Sequence, residues 1–167
     1  MICSVIGNQI KSFPFDYEND LFKKAIYTEA LYNEVEALIK QGYNHFITGT
    51  GRGVDIDFGE AVLYFKNNGY SDYNIKLETV TPGERAGSTY SDEYWESYNY
   101  VVECSDIVTK VSGSSRSRGR KEYIVDHSDL VLSVWNGDTH GGTWEAIKYA
   151  KNNNKDMRFI MINEIKM

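Results

Sequence analysis

The feature that most constrains this chain is an alternation. Short apolar segments rich in β-branched residues, near 1–6, 45–48, 75–80, 107–111, 130–135 and 158–162, are separated by longer stretches of helical periodicity. Strands joined by helices return to the sheet in the same direction, so this order predicts βαβ units and a parallel sheet. The expected fold is α/β, a Rossmann-like three-layer sandwich with a mostly parallel central sheet. Segments 1–6, 45–48 and 130–135 have a largely continuous apolar character, as strands covered on both faces do, and belong near its centre. Between the first two, Leu21, Phe22, Ala25, Ile26, Val35, Leu38 and Ile39 recur near helical spacing, with Asn19 or Asp20 placed to cap the start and Gly42 to end the helix. Further helices are predicted over 54–67, 91–103, around Tyr123-Ile124-Val125, and from about 143 to 152. A length of 167 residues suits one domain, 1–167.

Charge narrows the partners. The formal net charge is −6, which gives no long-range pull toward a phosphate backbone and argues against nucleic acid as a partner. Any phosphate must then be held by a local pocket. The two cysteines, Cys3 and Cys104, form no metal or redox motif and are expected as buried reduced thiols. His45, His127 and His140 do not share ligand spacing, so no metal is expected, nor is a cofactor. No apolar run reaches membrane-spanning length and no signal peptide is visible at residue 1, which places the chain in a reducing cytoplasm with no membrane partner.

Two glycine-rich loops carry the candidate chemistry. The first, Gly49-Thr50-Gly51-Arg52-Gly53-Val54-Asp55, lies between a predicted strand and helix, where glycines admit close backbone approach and helix-start N–H groups favour an anion. It matches neither the dinucleotide fingerprint nor the P-loop. Asp55 suits a helix cap as well as a ligand contact. The second loop, from Trp135 through Gly141, Gly142 and Thr143 to Glu145, repeats that logic after the fifth strand. Two such loops on neighbouring parallel strands form opposite walls of one crevice. Between them in sequence, Arg116, Arg118, Arg120 and Lys121 offer guanidinium and ammonium groups for phosphate, Arg120 foremost. Trp135 offers a ring for a base, or packing. Tyr90, Tyr94 and Tyr98 read as a half-buried helix stripe.

These blocks, together with Gly7 followed by Phe13-Pro14-Phe15, Ile47-Thr48-Gly49, Gly53-Val54-Asp55, Tyr123-Ile124-Val125-Asp126-His127-Ser128-Asp129 and Val134-Trp135-Asn136-Gly137, resemble the YpsA-like branch of the SLOG superfamily. That superfamily also holds DprA and the Lonely Guy phosphoribohydrolases. The resemblance implies a Rossmann-like fold with a site for nucleotides or related sugars, which adds Gly7 and Asn8 to the binding residues. Where relatives carry Thr-Gly-His-Arg after the first strand, this chain has Ile6-Gly7-Asn8-Gln9, and where they carry Arg-Asn it has Arg120-Lys121-Glu122. Glu145 is the candidate catalytic carboxylate. It stands one residue closer to the threonine than in the Lonely Guy motif, a rotation of about 100° on a helix.

The leading expectation is recognition, even sequestration, of a nucleotide-derived small molecule such as an ADP-ribose-like or cyclic nucleotide signal. The alternatives are a hydrolase that cleaves an N-glycosidic or phosphoribosyl bond, and single-stranded DNA binding as in DprA. A homo-oligomer stays open.

Overall fold

A computed structural model describes residues 1–82, 91–111 and 116–165, with only the backbone described at 116–118. Strands β1 (Ile2–Gly7), β2 (His45–Thr48), β3 (Lys76–Thr81), β4 (Ile107–Lys110), β5 (Leu130–Trp135) and β6 (Asp156–Met161) form one sheet, in the order β4-β3-β2-β1-β5-β6. Every pairing is parallel. The three strands expected at the centre, β2, β1 and β5, are there. Helices α1 (Leu21–Lys40), α2 (Val54–Asn67) and α3 (Asp92–Cys104) cover one face, and α4 (Arg116–Asp126) and α5 (Gly141–Asn152) the other. Among the described residues no helix is long and apolar enough to cross a membrane.

Local chemistry explains the elements. Asp20 caps α1 by accepting from the Lys23 N–H at 3.1 Å, and Ser91 caps α3 from the Tyr94 N–H. Alternation along the strands sorts side chains between two cores: Phe46, Leu77 and Leu132 pack under α1 and α2, while Ile6, Ile47, Val80 and Val131 pack under α4 and α5. Cys3 lies in the first core, where burial pushes its thiol up to about 12. Cys104, expected buried, is exposed at the end of α3. The last strand begins at Asp156, two residues before the apolar segment that announced it.

The order in which strands are added reverses between β1 and β5, the point where an open parallel sheet leaves a crevice beyond its carboxyl ends. The position of α4 beside it is set from below. Glu78, buried on β3, accepts from Tyr123 Oη at 2.9 Å and Thr109 Oγ1 at 2.7 Å, and lies 2.9 Å from His45 Nε2. A buried carboxylate with three partners ties α4 to the sheet and thereby aims Arg120 and Lys121.

Candidate functional site

The first loop closes on itself. The Asp55 carboxylate turns back to accept the Gly51 N–H at 2.8 Å, and Thr48 Oγ1 donates to the Asp55 carbonyl at 2.6 Å. Gly53, rather than Asp55, holds the N-cap position of α2 and has φ +117°, a region that glycine tolerates. A Cβ there would stand 2.9 Å from the Ile10 nitrogen and 3.0 Å from the Asn8 carbonyl, because residues 8–10 bridge onto the loop. Arg52, predicted to face a ligand, is ion-paired with Glu18. Thr50 is buried, and its carbonyl accepts from Tyr94 Oη at 2.8 Å.

Gly7 and Asn8 join the loops to each other. A Cβ on Gly7 would fall 2.3 Å from Val54 Cγ1, so this glycine lets the end of β1 touch the start of α2. Asn8 Oδ1 accepts from the Asn136 N–H at 2.9 Å, and its carbonyl accepts from the Val54 N–H at 3.3 Å. Thr143 Oγ1 donates to the Gly7 carbonyl at 3.0 Å. These groups brace the crevice by hydrogen bonds within the chain.

The second loop is open. Gly141 has φ +83° and no atom within 4 Å of where a Cβ would stand, and the α5 N-cap residue, His140, makes no side-chain cap bond. Beside this first turn lies Lys121, whose Nζ would stand 2.8 Å from a Cβ on Gly142. Arg120 is beside it, with Nη1 donating to Thr50 Oγ1 at 3.2 Å. Asp55 is the neighbouring carboxylate. Desolvation raises its pKa, against the pull of Arg120, its bond from Gly51, and Lys121. Desolvation lowers that of Lys121, Asp55 works the other way, and Arg120 adds to the lowering. Between these groups is a recess of about 40 Å³, bounded by Gly7, Gln9, Gly51, Asp55, Arg120 and Lys121.

Other candidates fall outside it. Glu145 is exposed and ion-paired with Lys148 at 2.8 Å, on a groove shared with Lys121 and Gly142. Trp135 stacks on Trp144, ring centroids 5.4 Å apart and planes 12° from parallel, and its Nε1 donates to the Asp138 carbonyl. Trp144, adjacent to Thr143, was not singled out by sequence; its strand partner is nine positions away and the contact exists only in the fold. Tyr94 is buried, as a stripe residue should be, and Tyr98 is half-buried. Tyr90 and the side chains of Arg116 and Arg118 lie outside the described residues. Among the described residues no cluster of His, Cys, Asp or Glu could hold a metal.

The sequence profile of the YspA SLOG family matches residues 7–165, nearly the whole chain. The chain belongs to that family. It is 25% identical over 128 residues to UPF0398 protein BH1768 of Halalkalibacterium halodurans, covering 74% of this chain and 66% of that protein. It is 26% identical over 131 residues to the uncharacterized SPbeta prophage-derived protein YoqJ of Bacillus subtilis, covering 70% of this chain and 74% of that one. Among solved structures, DNA processing protein A from Helicobacter pylori, studied for its single-stranded DNA binding mode, superposes with a TM-score of 0.59 at 16% identity. That match takes in 95% of this chain and 64% of the other. The chain thus spans just under two thirds of the first relative and of the solved neighbour.

These findings correct two expectations. Net acidity argues against nucleic acid as a partner, and a small nucleotide-derived ligand is the leading expectation. Yet a solved protein of this fold binds single-stranded DNA. The physical error lay in averaging charge over the surface. Fields from exposed charges fade over about 8–10 Å in physiological salt, so distant carboxylates do not cancel Arg120 and Lys121 at short range.

Proposed function

We propose that this chain binds single-stranded DNA at the crevice beyond β1, β2 and β5, with the backbone phosphate held by Arg120, Lys121 and the first turn of α5. The observation that carries the reading is the position of Lys121. A half-buried ammonium stands beside a guanidinium and against the amino end of a helix, whose dipole is itself positive there. Arg120 and Lys121 share one carboxylate, Asp55, and the amino end of α5 beside Lys121 adds to the positive side, so an anion offsets the imbalance. The recess is on the scale of a phosphate group rather than a ring system. A flexible single strand lowers one phosphate into such a recess, whereas a duplex is stiff over about 150 base pairs and holds both backbones on a cylinder. The fold shared with the Helicobacter pylori protein supports the same partner.

Fluorescence anisotropy with labelled oligothymidylate tests this. The wild type is expected to bind the single strand more tightly than a duplex of equal length. Charge-assisted hydrogen bonds are worth about 1.5–3 kcal/mol each, so Arg120→Ala/Lys121→Ala, which removes two, is expected to weaken binding by at least about a hundredfold. Equal affinity in the folded double variant would overturn the assignment.

A further inference from the structure

We infer that the exposed face of α5 beside β6 is a second segment of the single-strand path, where bases stack on Trp144 and Phe159 and Lys151 meets the phosphates. This rests on the crevice reading above and extends it. Trp144, Lys148 and Lys151 recur at i, i+4 and i+7, so they share one stripe of the helix. Trp144 is half-buried, supported from beneath by the stacked ring of Trp135. Lys148 and Lys151 reach over it, their Nζ atoms 6.0 and 5.8 Å from the ring centroid. Lys151 also stands 5.8 Å from the ring of Phe159, which is 41% exposed on the edge strand β6.

Packing accounts for Trp135 against Trp144. It does not account for an exposed phenylalanine under a lysine on a sheet edge, where a large apolar side chain invites association. Aromatic faces interleaved with cations are what sequence-tolerant single-strand binding requires, because every base has a face to stack and every linkage a charge. Glu145, one position beyond Trp144, is paired with Lys148, which leaves Lys151 as the principal cation of the stripe. The stripe begins at the crevice. Gly142, against Lys121, lies in the first turn of α5, and the rise from there to Lys151 is about 13 Å, so one strand can occupy both.

The test compares oligothymidylates of about four and about twelve nucleotides, the range covered by single-strand binding folds. Trp144→Ala and Phe159→Ala are each expected to weaken the longer oligomer by at least about fivefold while leaving the shorter within about twofold. Trp144→Phe, which keeps a stacking face, is expected to retain most of the affinity. Phe159→Ala guards against a folding artefact, since its ring is exposed. Wild-type affinity for the longer oligomer in both alanine variants overturns the inference, and so does equal loss at both lengths. If those variants bind normally but Arg120→Ala/Lys121→Ala does not, the stripe falls and the crevice stands. If the wild type binds neither length, both fall. A dimer that dissociates in Phe159→Ala with DNA affinity unchanged would assign the stripe to a second copy of the chain and overturn the inference.

Discussion

The two glycine-rich loops look alike in sequence and behave differently in the fold. At 49–53 the backbone is folded around internal partners: Gly51 bonds Asp55, Gly53 is wedged between Asn8 and Ile10, and Arg52 is paired with Glu18. At 141–142 Gly141 faces open space, the helix start lacks a side-chain cap, and Lys121 lies beside Gly142. A glycine loop before a helix therefore announces a site only when its donors are left without internal acceptors. The closed loop shapes the crevice, and in the proposed reading the open one supplies it with donors.

That contrast can be broken by substitution. The largest expected effect is on stability at the closed loop. A Cβ on Gly49 would lie 2.4 Å from Asp55 Oδ2, so Gly49→Ala must displace the carboxylate that holds the turn. Denaturant titration is expected to show a loss of about 2–3 kcal/mol. Next is pH, through Asp57, two residues along α2 from Asp55. Its carboxylate accepts from Tyr17 Oη at 2.6 Å and Tyr27 Oη at 2.9 Å. Desolvation lifts it to about 7 against the two phenols and the pull of Lys24, with Glu60 adding to the rise. A raised acid binds more protons folded than unfolded, so its contribution to stability falls as pH climbs from about 4 through 7. Thermal melts are expected to lose that slope in Asp57→Asn; an unchanged slope would show that Asp57 titrates normally.

At the open loop the order reverses. Gly142→Val meets only the far end of a flexible lysine, so stability is expected to hold while oligonucleotide affinity drops about tenfold as Lys121 is pushed aside. Equal stability losses at Gly49 and Gly142 would erase the distinction. The smallest effect is at Glu145, exposed and paired only across a helix turn; Glu145→Gln is expected to bind within about twofold of wild type.

Much of the fold was legible in the sequence because β1, β2 and β5 are apolar on both faces and nothing else hides a backbone of that kind. The start of β6 was not, since an edge strand opening on Asp156 carries no apolar signal. Within the site, Arg120 could be named from its loop, and the structure brings it to Thr50 and Asp55. Asn8 and Thr143 carried the same polar signature, and only tertiary contact shows that their side chains bond the chain's own backbone. The argument against nucleic acid failed for a related reason: composition sums charge, whereas binding samples it within a Debye length.

Salt dependence measures the central claim most directly. Each phosphate neutralised on a single strand contributes about −0.7 to the slope of log affinity against log salt. With one phosphate held in the recess, the wild type is expected to show a slope of at least about −0.7, and Lys121→Gln, which leaves that phosphate only partly neutralised, to make it shallower. The same slope in wild type and Lys121→Gln would mean that Lys121 meets no phosphate, and would contradict the assignment of the crevice to single-stranded DNA.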